Sequence, residues 1–166
     1  MFATLPVDAV YSSPLKRALD SARSVAEAQR LEVRIDERLM EIHAGVFQGL
    51  AWAEIERRYP AEAARWKSHD PDFRIPEGES RRELMIRAAE AFASVRAAGH
   101  ERAVVVAHGG SLAAAFKALL EVPAARNPFA FYNGSISRLA WDREVKLQSY
   151  NQVEHLGGLV GHCGDL

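Results

Sequence analysis

Cysteine is almost absent from this chain: a single residue, Cys163, stands among 166. That excludes an internal disulfide framework and fits a reducing compartment. With no paired cysteines and six histidines at scattered spacings, neither a structural zinc site nor any other metal or organic cofactor is expected. No charge of one sign dominates either. The chain carries 21 Lys and Arg against 22 Asp and Glu, spread without a basic face for nucleic acid. Its apolar runs fall far short of a bilayer span, and Met1-Phe-Ala-Thr-Leu-Pro6 lacks the charged and apolar regions of a secretory signal. A cytoplasmic protein with no membrane partner is the expectation. Phosphate-cradling G-x-x-x-x-G-K-[ST] and G-x-G-x-x-G patterns are missing, which argues against a nucleotide site. So is the G-x-S-x-G elbow that an esterase reading of His108-Gly-Gly-Ser111 would need.

What is present describes an ordinary globular domain, with 48% hydrophobic and 26% charged residues. Residues 8–12 form a short strand candidate, and Ser13-Pro14 opens a helix to Gln29 with Pro14 at its first position. Residues 32–40 are a second strand candidate with Val33 and Ile35 on one face, and 41–49 a glycine-spaced loop. A helical pattern over 52–66 breaks at Pro60, and 67–78 is a long polar connection. Ser80 and Glu83 make a capping box for a helix that stops at Gly99. Residues 135–141 and 145–150 alternate as a hairpin, and the glycine-rich end from 157 to 166 reads as a flexible tail. Strands alternating with helices predict an α/β fold: a three-layer α/β/α sandwich, mostly parallel, with a C-terminal antiparallel hairpin.

Chemistry concentrates in Arg102-Ala-Val-Val-Val-Ala-His108-Gly-Gly-Ser111. Its small and β-branched run suits a strand covered on both faces. Gly109 and Gly110 permit a sharp turn and close approach to a ligand, and Ser111 can cap a helix from Leu112 to Leu120. A strand–glycine–helix junction gathers free N–H groups at the positive end of a helix dipole, a place for an anion. His108 is then either an anion ligand or a satisfied core histidine. Lys16 and Arg17 set two cations in the first turn of a helix, against its dipole. Either both point into water or a bound anion compensates them. Glu41, on a loop after a strand, is a general acid or a solvated carboxylate. His43 is given a structural role. Trp52, Trp66 and Phe73 line the entrance of a site or belong to the core.

Together these segments resemble the histidine phosphatase superfamily, which includes cofactor-dependent phosphoglycerate mutase. Tyr11-Ser-Ser-Pro-Leu-Lys-Arg-Ala18 resembles its second motif, which implies that Arg17 binds the phosphoryl group. Arg38-Leu-Met-Glu-Ile-His-Ala-Gly-Val-Phe-Gln-Gly49 resembles the proton-donor loop and implies Glu41 as the acid. Val104-Val-Val-Ala-His108-Gly-Gly110 resembles the motif of the second histidine, implying that His108 and Gly109 contact the phosphoryl group. Pro76-Glu-Gly-Glu-Ser80, Asn133-Gly-Ser-Ile-Ser137 and Asn151 to Leu156 also match, so the resemblance covers residues 7–156, taken as one domain from 1 to 156. It implies a phosphomonoester hydrolase working through a phosphohistidine on a small phosphorylated substrate. The short interval from Glu41 to His108 resembles the compact phosphatases more than the mutases, so mutase-type phosphoryl transfer is the alternative.

The family's hallmark Arg-His-Gly, which supplies the nucleophile, does not occur in these residues. By resemblance its strand belongs in the sheet centre beside the His108 strand. Its loss would leave two strand edges unpaired, at about 1–3 kcal/mol for each buried unsatisfied group. Three explanations stay open: a chain that begins late, an inactive relative that binds phosphate or a phosphorylated ligand, or a replacement nucleophile at His162. Residues 159–164 resemble a strand ending in histidine but lack the preceding arginine. His162-Cys163 is otherwise part of the tail. Exposed sheet edges also make a homodimer an expectation.

Overall fold

The computed structural model describes residues 5–157 of the chain. Strand β1 (Ala9–Ser12) lies between two parallel neighbours, β2 (Val33–Ile35) and β3 (Ala103–Val106). Helix α1 (Lys16–Gln29) connects β1 to β2; α2 (Trp52–Arg58), α3 (Pro60–Lys67) and α4 (Arg81–Ala97) intervene before β3. Helix α5 (Gly109–Leu119) follows β3 directly, and β4 (Ile136–Trp141) and β5 (Val145–Gln152) close the described chain as an antiparallel hairpin. This is the α/β sandwich expected, with helices on both faces of a parallel sheet. No helix of the described residues is long and apolar enough to cross a membrane.

Alternation along β1 creates the layers, because successive side chains face opposite ways. Val10 joins Val104 and Val106 on one face, where α1 seals them with Ala22 and Ala26, four residues apart on the helix. Tyr11 and Val105 face the other way, onto Leu84, Ala88, Ala91 and Phe92 of α4 and Ala114 and Ala115 of α5. Small residues at these contacts let the helices approach closely. A second cluster, with Phe47, Ile55, Trp66 and Ile75, fixes the chain between β2 and α4.

Several local expectations change. Helix α1 starts at Lys16, so Pro14 lies outside it: Leu15 is extended at φ −64° and ψ 130°, and its N–H donates to Ser13 Oγ at 3.2 Å. The second strand is only three residues long, because Asp36 accepts the Arg38 N–H and starts a 3₁₀ turn at Glu37–Leu39. On that short outer strand Ile35 is 58% exposed, although Val33 packs against the core. The strand before His108 is not covered on both faces: Ala103 is exposed and Val104 to Val106 are half-buried. It pairs with β1 alone, and among the described residues no strand pairs with its other edge. The hairpin is a separate sheet, not hydrogen-bonded to it. The tail beyond 157, with His162 and Cys163, lies outside the described residues.

The break at Pro60 and the Ser80 capping box form as expected. Ser80 Oγ accepts the Glu83 N–H at 3.1 Å, and the Glu83 carboxylate accepts the Ser80 N–H at 2.7 Å. Ser80→Ala should therefore destabilise the protein by about 1 kcal/mol, read from the denaturant midpoint at unchanged slope.

Candidate active site

The end of β3 delivers His108 to the cap position of α5, in extended backbone at φ −123° and ψ 163°. Its N–H donates to Ser111 Oγ at 3.1 Å, and that hydroxyl donates back to the His108 carbonyl at 3.2 Å. The helix thus begins at Gly109, not at Leu112, and Ser111 sits inside its first turn. Two glycines followed by Ser-Leu-Ala-Ala-Ala can enter helical conformation at once, so the cap moves three residues upstream to the histidine. His108 is 6% exposed, and its Nε2 lies 2.9 Å from Oγ of the fully buried Ser13, at the end of β1. Burial pushes the imidazole pKa down to about 4, with the nearby charges of Arg17 and then Arg87 adding to the effect. The ring is neutral at pH 7.

Glu41 meets this helix start from the other side. Its carboxylate accepts the Gly110 N–H at 3.0 Å and the Ile42 N–H at 2.9 Å. The contact requires glycine: a Cβ on Gly110 would stand 2.3 Å from Glu41 Oε1. The Glu41 loop is held by Arg87 of α4. Arg87 Nη1 donates to the carbonyls of Arg38 at 2.8 Å and Met40 at 2.7 Å, and Nη2 donates to that of Glu41 at 3.0 Å. Its Nε donates to Glu79 at 3.0 Å. Glu79 in turn accepts the His43 N–H at 2.8 Å, and its own N–H donates to the His43 carbonyl at 2.9 Å. His43 is structural through its backbone, while its side chain is exposed.

The structure therefore brings Glu41, His108 and Gly109 together at one helix N-terminus. Arg17 stands exposed in the first turn of α1, near enough for its charge to act on His108. Lys16 turns to water and pairs with Asp20 at 2.6 Å. A cavity of about 460 Å³ opens over the site, lined by Glu41, Gly109 and Gly110 and, further out, by Trp66, Arg81, Lys117 and Phe131. Of the three aromatic residues considered for an entrance, only Trp66 lines it; Phe73 is buried and Trp52 partly buried in the second core cluster. The sequence reading missed Ser13, Arg81, Arg87 and Lys117. The one available signal was cations at helix positions that an apolar stripe should occupy, Arg87 beside Leu84, Ala88 and Ala91, and Lys117 among Ala113 to Phe116.

Comparison with known proteins agrees with this geometry. The profile of the Histidine phosphatase superfamily (branch 1) matches residues 1–152. The chain belongs to the histidine phosphatase superfamily. Glucosyl-3-phosphoglycerate phosphatase of Mycobacterium tuberculosis is 35% identical over 141 residues, 80% of this chain and 61% of that protein. Phosphoserine phosphatase 1 of Hydrogenobacter thermophilus is 33% identical over 154 residues, 91% of this chain and 73% of that one. A solved mycobacterial glucosyl-3-phosphoglycerate phosphatase in complex with inorganic phosphate superposes with a TM-score of 0.74 at 31% identity, covering 88% of this chain and 77% of the other. The chain thus spans about three fifths of the Mycobacterium tuberculosis relative. Solved relatives that carry phosphatase names share its fold.

Two measurements test the site's construction. Arg87→Met leaves the partly buried Glu79 without its cation and three loop carbonyls without a donor, and should cost about 3 kcal/mol or more in denaturant unfolding. His108 titrates at about 4 in the folded chain and near 6.5 when unfolded, so the unfolded state binds more protons between those values. Stability should be full above pH 6.5 and fall by up to about 3 kcal/mol as pH drops toward 4. His108→Gln should flatten that part of the stability–pH curve.

Proposed function

We propose that this protein is the phosphate-binding and proton-donating body of a phosphomonoester hydrolase that works through a phosphohistidine. The observation that carries the reading is the convergence of Glu41 and His108 on the first turn of α5. The phosphoryl oxygens of a small phosphorylated substrate lie against the Gly109 N–H, His108 and Arg17. Helix-end N–H groups and a guanidinium favour an oxyanion there and stabilise charge on the equatorial oxygens as the group transfers. A neutral His108 can take up a proton when a dianion binds beside it, which adds a third positive group to the site. Glu41, aimed at the cavity from a clamped loop, protonates the departing oxygen.

The nucleophile is not supplied by the described residues. His43 and His69 are exposed, His100 bonds with Tyr11 and Arg34, and His155 contacts the Gly134 carbonyl. The free edge of β3, which ends at the site, supports a nucleophilic histidine carried on a strand alongside it. In the two-step reaction that histidine attacks phosphorus as the ester oxygen leaves with the Glu41 proton; water then attacks phosphorus, giving a proton back to the Glu41 carboxylate, and releases inorganic phosphate and the histidine. Between Glu41 and His108 the chain holds only the compact α2, α3 and α4, which favours hydrolysis over transfer to a second substrate. The cytoplasmic setting rests on the single cysteine.

The 166-residue protein should bind inorganic phosphate, seen as a rise in melting temperature, and hydrolyse p-nitrophenyl phosphate negligibly. An ordinary enzymatic rate would show that a nucleophile is present after all. No shift with phosphate would remove the phosphatase reading itself.

A further inference from the structure

The outer half of the cavity holds two cations, Arg81 and Lys117, that form no salt bridge among the described residues; only the charge of Asp70 acts on Arg81 from a distance. Lys117 is 5% exposed, and its ammonium donates only to the Ala124 carbonyl, at 2.7 Å. Arg81 lies flat on the Trp66 ring, with its guanidinium carbon 3.3 Å from the ring centre. Its Nη1 is buried and has no hydrogen-bond partner among the described residues. Burial lowers the Arg81 pKa to about 10, and the Arg81 charge adds to the burial that lowers that of Lys117. Glu41 is the only acidic residue lining the cavity, and its carboxylate is already occupied at the helix start.

Burying a cation beside aromatic and aliphatic walls is unfavourable unless something negative completes it, and two together are worse. The neighbouring arginines of α4 end on carboxylates, as Arg82 does on Asp72 and Arg87 on Glu79. Arg81 lines the cavity without such a partner for its Nη1. We propose that Arg81 and Lys117 form a second anion subsite that selects phosphomonoesters whose leaving alcohol carries a carboxylate. The inference rests on the phosphatase reading, which assigns the phosphoryl group to the His108 end and leaves this end to the alcohol. A guanidinium fixed by stacking keeps its N–H edge free for the two oxygens of a planar carboxylate, and the ammonium supplies a second donor. Trp66 and Phe131 wall the space in which the carbon skeleton between the two anions would lie.

The test is a matched pair of ligands, 3-phosphoglycerate and glycerol 3-phosphate, which differ in the carboxylate, titrated calorimetrically into the 166-residue protein beside inorganic phosphate. We expect 3-phosphoglycerate to bind at least about tenfold more tightly than glycerol 3-phosphate, the scale of one charge-assisted contact. That ratio should fall to near one in Arg81→Gln. Lys117→Met should lower it as well. Equal affinities in the unmodified protein, with phosphate still binding, overturn the subsite and leave the phosphatase reading intact. Binding of neither ester nor of phosphate overturns both. A ratio preserved in a folded Arg81→Gln protein removes Arg81 from the assignment. Tighter binding of a bisphosphate such as 2,3-bisphosphoglycerate than of 3-phosphoglycerate would reassign the subsite to a second phosphate.

Discussion

One guanidinium decides where Glu41 stands. Arg87 reaches from the middle of α4 to three carbonyls at the start of the Glu41 loop, and its charge is answered by Glu79, which is itself tied to both polar backbone atoms of His43. Loops place functional groups well only when something rigid holds them. Here the rigid element is a 17-residue helix with a satisfied cap, packed by alanines against α5, the helix whose N-terminus binds Glu41. The same two helices thus carry both ends of the Glu41 contact. A carboxylate that must approach one particular amide does so because neither of its supports can move independently.

Much of this was legible in the order of residue types. The apolar run, the histidine, the two glycines and the following alanines specify strand, turn and helix in that order, and Pro60 and Ser80 mark their boundaries. What escaped were facts that exist only between distant segments. The place of Arg87 and Lys117 on apolar stripes marks them as cations that do not point to water, but nothing nearby in the sequence tells which loop one clamps or which cavity the other lines. The cap of α5 slipped by three residues because Ser111 has the stronger intrinsic preference for that position, whereas the reciprocal bonds with His108 favour it one turn further in. The strand β3 was read as buried on both faces from its composition, which reports what a strand is suited to and not what lies beside it.

The charge arrangement follows a consistent logic. Surface cations of this chain are mostly answered at short range, as Lys16 is by Asp20 and Arg65 by Asp70. Around the cavity that rule is relaxed: Arg17, Arg81 and Lys117 form no salt bridge among the described residues, only the charge of Asp70 acting on Arg81, and His108 is held neutral by burial and by its cationic neighbours. Positive potential is concentrated where water is partly excluded, so that an arriving anion meets groups already in place. Such preorganisation explains why the fold tolerates local destabilisation at its functional end, while the opposite face of the sheet is sealed by the featureless alanines of α1.

The half-paired condition of β3 has a mechanical meaning. The strand is anchored along one side by β1 and bears His108 at its far end, so the histidine rides on something like a cantilever. Bending of that beam moves the imidazole and the start of α5 together, and with them the Glu41 carboxylate bound to the Gly110 N–H. Whatever comes to lie along the open side would stiffen the beam. The alignment of the reacting groups is then tied to the completeness of the sheet, and assembling the sheet and tuning the site become a single event.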